Sequence, residues 1–148
     1  MRGDQDKALS QINSAIQLRR YCNEYYWERG MIYMEMNKPR EYLNDLRRAY
    51  ELDTTVNLVL DDLTFIHAYL EQHDSSIYYG EKLIYKDSSQ AHIYYSVGMS
   101  YISINDLTRA EYYNKLLSNL IEGDTILTAM QLILEDAIGQ LKSGSEKK

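Results

Sequence analysis

Apolar residues recur along this chain at spacings of three and four, and clusters of turn-forming residues separate them into helix-sized segments. Leu9, Ile12 and Ile16 form one apolar set, and Leu43 and Leu46 begin another. This spacing places apolar residues on one face of an α-helix. Long stretches of alternating apolar and polar residues, which would indicate half-buried strands, do not occur. The pattern therefore predicts an all-α protein built from short helices.

The helical segments repeat with a fixed period. The stretch YWERGMIY begins at residue 26 and returns as YYSVGMSY at residue 94, two periods of 34 residues further on. A period of this length indicates an array of stacked repeats. Small residues at the eighth place of each block are expected to let the two helices of one hairpin approach closely. Blocks that begin at Asn23, Asn57 and Ala91 have Gly30, Thr64 and Gly98 at the eighth place and Tyr33, His67 and Tyr101 at the eleventh.

The third block, residues 91–124, carries a recognisable signature. Tyr94, Val97, Gly98 and Tyr101 follow the order aromatic, aliphatic, Gly and Tyr, and Ala110 comes later in the block. This pattern resembles the tetratricopeptide repeat (TPR), a 34-residue pair of antiparallel helices. The resemblance implies an α-solenoid, in which antiparallel helix hairpins stack into a right-handed superhelix.

The blocks differ in how well they match. Arg29 stands where the signature has Leu, Tyr42 stands where it has a small Ala, and the second block keeps only the residue sizes. Because the first repeat lacks its first helix, we expect the chain to be a piece of a longer protein. The predicted organisation is the second helix of a truncated repeat (1–22), three repeats (23–56, 57–90 and 91–124), a capping or continuing helix (125–142) and a flexible tail (143–148).

Composition and motifs argue against catalysis and against nucleic acid as a ligand. With 16 basic and 22 acidic residues the chain has a net charge of −6, which disfavours a broad contact with nucleic acid or anionic lipid. The single Cys22 excludes an internal disulfide and a Cys-rich zinc site. Phosphate-binding, hydrolase and metalloprotease motifs are missing from the sequence. We therefore predict a soluble protein that is not an enzyme and has no cofactor or metal; its compartment is unknown, with a cytoplasmic location favoured.

The resemblance implies a binding groove lined by the first helix of each repeat. At the second, fifth, ninth, twelfth and thirteenth places of the blocks most residues are aromatic, apolar or acidic, which suits a peptide or a partner helix with apolar anchors and a basic group. Trp27, Phe65 and Tyr95 are expected to be anchors that do not contribute to stability. The predicted groove consists of Glu24, Trp27, Met31, Met34, Glu35, Leu58, Asp61, Phe65, Ala68, Tyr69, His92, Tyr95, Met99, Ile102 and Ser103.

Two functions remain open at this stage. The first is a protein-binding module within a longer protein, similar to those of bacterial regulators and assembly factors. The second is a structural spacer or self-association element whose groove is filled by the parent chain, because exposed aromatic stripes are usually covered.

The last predicted helix has two apolar stripes, which predicts two neighbours for it. One stripe is expected to dock on the preceding hairpin. The other, made of Leu127, Leu134 and Ile138, is expected to stay uncovered and to form a homodimer, since a two-fold contact buries the same face on both copies. The alternative dimer face is at the other end of the chain, where the first repeat lacks its first helix. The stripe predicted to dock consists of Ile126, Met130, Ile133, Ala137 and Leu141.

Overall fold

A computed structural model describes residues 2–121 and 123–145 of the chain. All regular structure in these two ranges is α-helical, which confirms the predicted all-α class. The described helices are α1 (Arg2–Leu18), α2 (Asn23–Glu35), α3 (Pro39–Leu52), α4 (Asn57–Tyr69), α5 (His73–Lys86), α6 (Ala91–Ser103), α7 (Leu107–Ser118) and α8 (Thr125–Ser145).

The helices pack as consecutive hairpins. α2 packs on α3, α4 on α5 and α6 on α7, while α1 packs on α2 and α8 packs on both α6 and α7. Helices α2, α4 and α6 begin at Asn23, Asn57 and Ala91, which are the first residues of the three predicted blocks. Helix α8 extends to Ser145, so the first part of the predicted tail is helical, and residues 146–148 lie outside the described ranges.

The turn inside each hairpin repeats with the same 34-residue period. Asn37, Glu71 and Asn105 have φ angles of 57°, 58° and 59°, which is the left-handed region. The residue after each of them donates its backbone N–H to the carbonyl five residues earlier, as Lys38 does to Tyr33 at 2.9 Å. This is the Schellman arrangement that ends a helix and reverses the chain. The period is therefore built into the backbone as well as the side chains.

The first helices of the hairpins lie on the inner side of the array. Helix α4 contacts α6 directly, and α6 contacts α8. Over the described residues, the second helices α1, α3, α5 and α7 make no comparable contacts with one another. Because helices on the inner side of a curved stack lie closer together, the face formed by α2, α4, α6 and α8 is the concave one.

The core consists of two hydrophobic clusters that follow one another along the array. Leu46 and Leu63 are fully buried in the first cluster, and Val97 and Leu117 are fully buried in the second. Partly buried tyrosines, Tyr50 and Tyr79, pack against both clusters. Their rings meet edge to face with centroids 5.6 Å apart. Because both tyrosines contact both clusters, they connect the two parts of the core. Aromatic pairs of this geometry also stabilise a core beyond the area that they bury.

The close contacts at the glycines are only partly those predicted. A Cβ atom on Gly30 would lie 2.9 Å from Tyr42 Cδ2, so this glycine accommodates the buried Tyr42 ring within its own hairpin. A Cβ atom on Gly98 would instead lie 2.7 Å from Leu134 Cδ2, and its three nearest atoms all belong to Leu134 of α8. Gly98 was predicted to let α6 approach α7 within one hairpin. This prediction is wrong, because the closest contact of Gly98 is with α8, the first helix of the next block.

Arg29, the departure from the signature, is held by a buried carboxylate. Its guanidinium donates to both carboxylate oxygens of Asp45, with Nε–Oδ2 and Nη2–Oδ1 distances of 2.8 and 2.6 Å. A third bond runs from Arg29 Nη1 to Asn13 Oδ1 at 2.8 Å. The Asp45 side chain is only 7% exposed, so this two-point ion pair joins α2 to α3 in a largely dry environment. Through Asn13 it also joins both helices to α1.

A buried histidine makes the stability of the fold depend on pH. His67 donates from Nδ1 to Gln72 Oε1 at 2.7 Å, whereas its buried Nε2 has no hydrogen-bond partner among the described residues. Burial lowers the pKa of His67, since the charged ring would lose its hydration.

We expect this histidine to reduce stability in mild acid. An unfolded histidine binds a proton as the pH falls through about 6.5, whereas folded His67 binds it only at a lower pH, so the free energy of unfolding falls with pH in this range. His92, whose pKa is raised by its bond to Asp61, acts in the opposite direction. Denaturant unfolding of the native chain and of a His67→Gln variant between about pH 8 and pH 5.5 isolates the effect. If both lose stability equally with pH, His67 is not its cause.

Candidate functional site

The candidate site is the concave surface of the first helices, called here the inner face. It comprises the predicted groove residues of α2, α4 and α6. Their exposure divides them into two groups. The exposed members are Glu24, Met31, Glu35, Leu58, Phe65, Tyr69 and Ser103; the half-buried members are Trp27, Met34, Asp61, Ala68, His92, Tyr95, Met99 and Ile102.

The exposed apolar residues concentrate on α4. Leu58, Phe65 and Tyr69 each expose between 50% and 53% of their surface. The Phe65 and Tyr69 rings stack on each other, with centroids 6.2 Å apart and an interplanar angle of 29°. Asp61 lies between Leu58 and Phe65 at helical spacing, so the four side chains form one stripe along the helix. This stripe offers a partner apolar area together with one carboxylate.

Trp27 was predicted to be a free side chain in the groove, but the structure shows it packed and hydrogen-bonded. Its ring packs against the first core cluster, and its indole Nε1 donates to Asp62 Oδ2 at 2.6 Å. Tyr95 likewise packs against the second cluster. Replacing either residue is therefore expected to reduce stability, which corrects the expectation that both are anchors without a structural role. Phe65 is the predicted anchor whose side chain stays half exposed.

Two polar contacts connect neighbouring first helices across the inner face. One is the bond from Trp27 to Asp62, which joins α2 to α4. The other joins α4 to α6, with His92 Nε2 2.9 Å from Asp61 Oδ2. The bond to Asp61 raises the pKa of His92, and burial raises the pKa of Asp62. Both contacts fix side chains that border the exposed stripe on α4.

The inner face is acidic. Glu24, Glu35 and Asp61 are its carboxylates on α2 and α4. Within the described residues, the first helices α2, α4, α6 and α8 contain two Lys or Arg residues, and both form ion pairs with a second helix. Arg29 pairs with Asp45 on α3, and Lys142 pairs with Glu111 on α7. Positive charge is thus directed away from this surface.

The stripe of α8 that was predicted to stay uncovered is the one that docks on the core, whereas Met130, Ala137 and Leu141 of the predicted docking stripe are only partly buried. Leu134 is fully buried, Ile138 is buried and Leu127 is partly buried, all against the second core cluster. Ile126 and Ile133, which were expected to dock, are 68% and 53% exposed. The assignment of Leu127, Leu134 and Ile138 to an uncovered dimer face is therefore wrong.

The physical reason is that α8 is a first helix in the 34-residue frame. Leu127 and Leu134 take the third and tenth places, where Val59 and Ile66 of the second block are also buried. These places face the preceding repeat. A fourth block that begins at residue 125 predicts from the sequence that Leu127 and Leu134 are buried.

The same frame adds residues to the inner face that were not predicted. Ile126 and Ile133 take the second and ninth places of a fourth block, in line with Leu58 and Phe65 two blocks earlier. Their exposure continues the apolar surface onto α8. The inner face therefore continues onto α8, with exposed apolar side chains at the second and ninth places and Asp136 at the twelfth.

Residues 2–121 and 123–145 contain no group of three or more His, Cys, Asp or Glu side chains placed to hold a metal ion. None of the described helices is long and apolar enough to cross a membrane.

Comparison with known proteins identifies the fold. No model of a known protein family matches the sequence. A search of curated proteins found no match either. Solved structures do match, at low sequence identity. One described as the crystal structure of MamA protein has a TM-score of 0.80 and 18% identity, over 98% of this chain and 79% of that one.

Two further structures bear on the repeat class. A tetratricopeptide repeat protein from Parabacteroides merdae has a TM-score of 0.81 and 18% identity, over 94% of this chain and 56% of that one. YrrB, described as a TPR protein with an unusual peptide-binding site, has a TM-score of 0.76 and 14% identity, over 95% of this chain and 79% of that one. The chain therefore has the fold of a tetratricopeptide-repeat α-solenoid.

Proposed function

We propose that this chain is a non-catalytic protein-binding scaffold that holds a peptide or a helix of a partner protein on its inner face. The observation that supports the proposal most directly is the exposed stripe of Leu58, Phe65 and Tyr69 on the concave surface. Large apolar side chains gathered on one surface are typical of interaction sites. Aromatic side chains supply contact area at a low cost in rotamer entropy.

The comparisons support this proposal at the level of the fold. YrrB is described as having a peptide-binding site, and it shares the stacked hairpins of this chain. Stacked repeats create extended concave surfaces that suit long ligands. The rival proposal is a structural spacer whose inner face is covered by another part of its own protein.

Selection of peptides from a random phage-displayed library against the isolated chain tests the proposal. We expect Leu58→Ser and Phe65→Ser each to weaken binding of a selected peptide about tenfold, because each removes an apolar contact at the centre of the site. Both side chains are half exposed, so the melting temperature should change little. Tyr85→Ser is the matched control, since Tyr85 is a highly exposed aromatic residue on a second helix.

The outcomes separate the two proposals. Selection of no peptide, or binding that Tyr85→Ser weakens as much as Phe65→Ser does, contradicts an inner-face binding site. A large fall in the melting temperature of Phe65→Ser would identify that residue as structural and would favour the spacer.

A further inference from the structure

We propose that the segment bound on the inner face is cationic: it presents an Arg or Lys side chain to Asp61 and apolar side chains to the neighbouring stripe. This inference rests on the proposed function and specifies the chemistry of the partner. The occupant to which we commit is a segment of a partner protein with a positive charge among apolar residues.

The first argument is the charge of the surface. Glu24, Glu35 and Asp61 lie on α2 and α4, and the Lys and Arg residues of the described first helices are engaged with second helices. These carboxylates would repel a partner with negative charges and attract a partner with positive charges. The surface thus discriminates against acidic peptides and against a free terminal carboxylate.

The second argument is the geometry along α4. Asp61, Phe65 and Tyr69 follow one another at intervals of four residues, so they lie on the same side of the helix. A guanidinium bonded to the Asp61 carboxylate can extend over the adjacent Phe65 ring, because Arg combines charge with a planar surface that stacks on aromatic rings. Leu58, on the other side of Asp61, provides the apolar contact for the flanking residue of the partner.

The third argument is that Asp61 is held in place but accessible. Its Oδ2 accepts from His92 Nε2 at 2.9 Å, while its side chain is 33% exposed. His92 lies on α6, so the carboxylate is fixed between two first helices before any ligand arrives. A fixed carboxylate loses less conformational entropy on binding than a mobile one does.

The single tryptophan of the chain provides a direct measurement. Trp27 lies half-buried at the inner face and is bonded to Asp62, the neighbour of Asp61, so its fluorescence should respond to an occupied site. The probes are three synthetic helical peptides that share leucines on one face and differ at one central position, which is Arg, Gln or Glu. We expect the Arg peptide to bind about tenfold more tightly than the Gln peptide, the Glu peptide to bind most weakly, and the preference for Arg to decrease with added salt.

Substitution of the carboxylate tests the assigned residue. With Asp61→Asn, which keeps the shape, the Arg and Gln peptides should bind with nearly equal affinity. Asp74→Asn, at an exposed position on the second helix α5, is the matched control and should retain the preference for Arg. Equal binding of all three peptides to the native chain would overturn the inference and leave the proposed function intact. No binding of any peptide would contradict both.

A second copy of the chain is the competing occupant. The segment from Leu18 to Tyr21 exposes 86% of Leu18 and 72% of Tyr21 on either side of Arg19 and Arg20, so it has the same chemistry. Light scattering over a concentration series distinguishes the two sources. If the native chain self-associates and both Asp61→Asn and an Arg19→Ser, Arg20→Ser variant remain monomeric, the occupant is a second copy and the proposal is overturned. A native chain that stays monomeric supports a separate partner.

Discussion

Arg29→Met is expected to lower the free energy of unfolding by about 3 kcal/mol, because it leaves the carboxylate of Asp45 buried without its cation. The two groups form a two-point ion pair, and the Asp45 side chain is only 7% exposed. A carboxylate at such a position depends on its partner for the interactions that water would otherwise supply. Urea unfolding followed by circular dichroism measures the loss.

Two controls show whether the unpaired, buried carboxylate of Asp45 causes the loss of stability. Arg48→Met removes an exposed ion pair with Glu51 and should change the free energy of unfolding far less than Arg29→Met does, because solvent screens an exposed pair. The double variant Arg29→Met, Asp45→Ala removes both charges and should recover much of the lost stability, since apolar replacement of a buried pair is often close to neutral. A single variant as stable as Arg48→Met would show that solvent screens the pair despite its burial.

The origin of this pair shows where prediction from the sequence ends. The spacing of three and four between apolar residues predicted the all-α class, because local spacing determines which face of each helix is apolar. The 34-residue period and the resemblance predicted stacked hairpins. Arg29 was recognised as a departure from the signature, but its partner was not identified. Asp45 lies on the facing helix, and only the packing of α2 on α3 brings the two side chains together.

For the inner face too, the sequence predicted which residues lie on the surface but not all of their contacts. The repeat frame selected side chains at helical spacing, and Leu58, Phe65 and Tyr69 are exposed on this surface. It did not show that Trp27 is held by Asp62, because that bond joins side chains of two different repeats. On α8 the stripe predicted to be uncovered, Leu127, Leu134 and Ile138, is the one that packs on the core. Spacing within one helix identifies its stripes but does not show which stripe meets the preceding repeat.

Gly80→Ala is expected to destabilise the fold by about 2 kcal/mol through overpacking between repeats. A Cβ atom at this position would lie 2.4 Å from Val97 Cγ2 and 3.2 Å from Thr64 Cγ2. Val97 is β-branched and fully buried, so its χ1 angle cannot turn away easily. Helix α5 therefore has to move relative to α6, and this cost exceeds the gain of about 1 kcal/mol that Ala brings to a helix interior. Thermal and urea unfolding measure the difference.

The other helical glycines provide a graded set of controls for this prediction. Gly98→Ala should cost less than Gly80→Ala, since its Cβ would meet the end of the flexible Leu134 side chain rather than a β-branched one. Gly139→Ala should stabilise the chain by about 0.5 to 1 kcal/mol, because no atom lies within 4 Å of the new methyl group. Combining Gly80→Ala with Val97→Ala should cost less than the two single changes together, since the second substitution makes room for the first. Additive losses in the double variant would show that the contact with Val97 is not what makes a glycine necessary at this position.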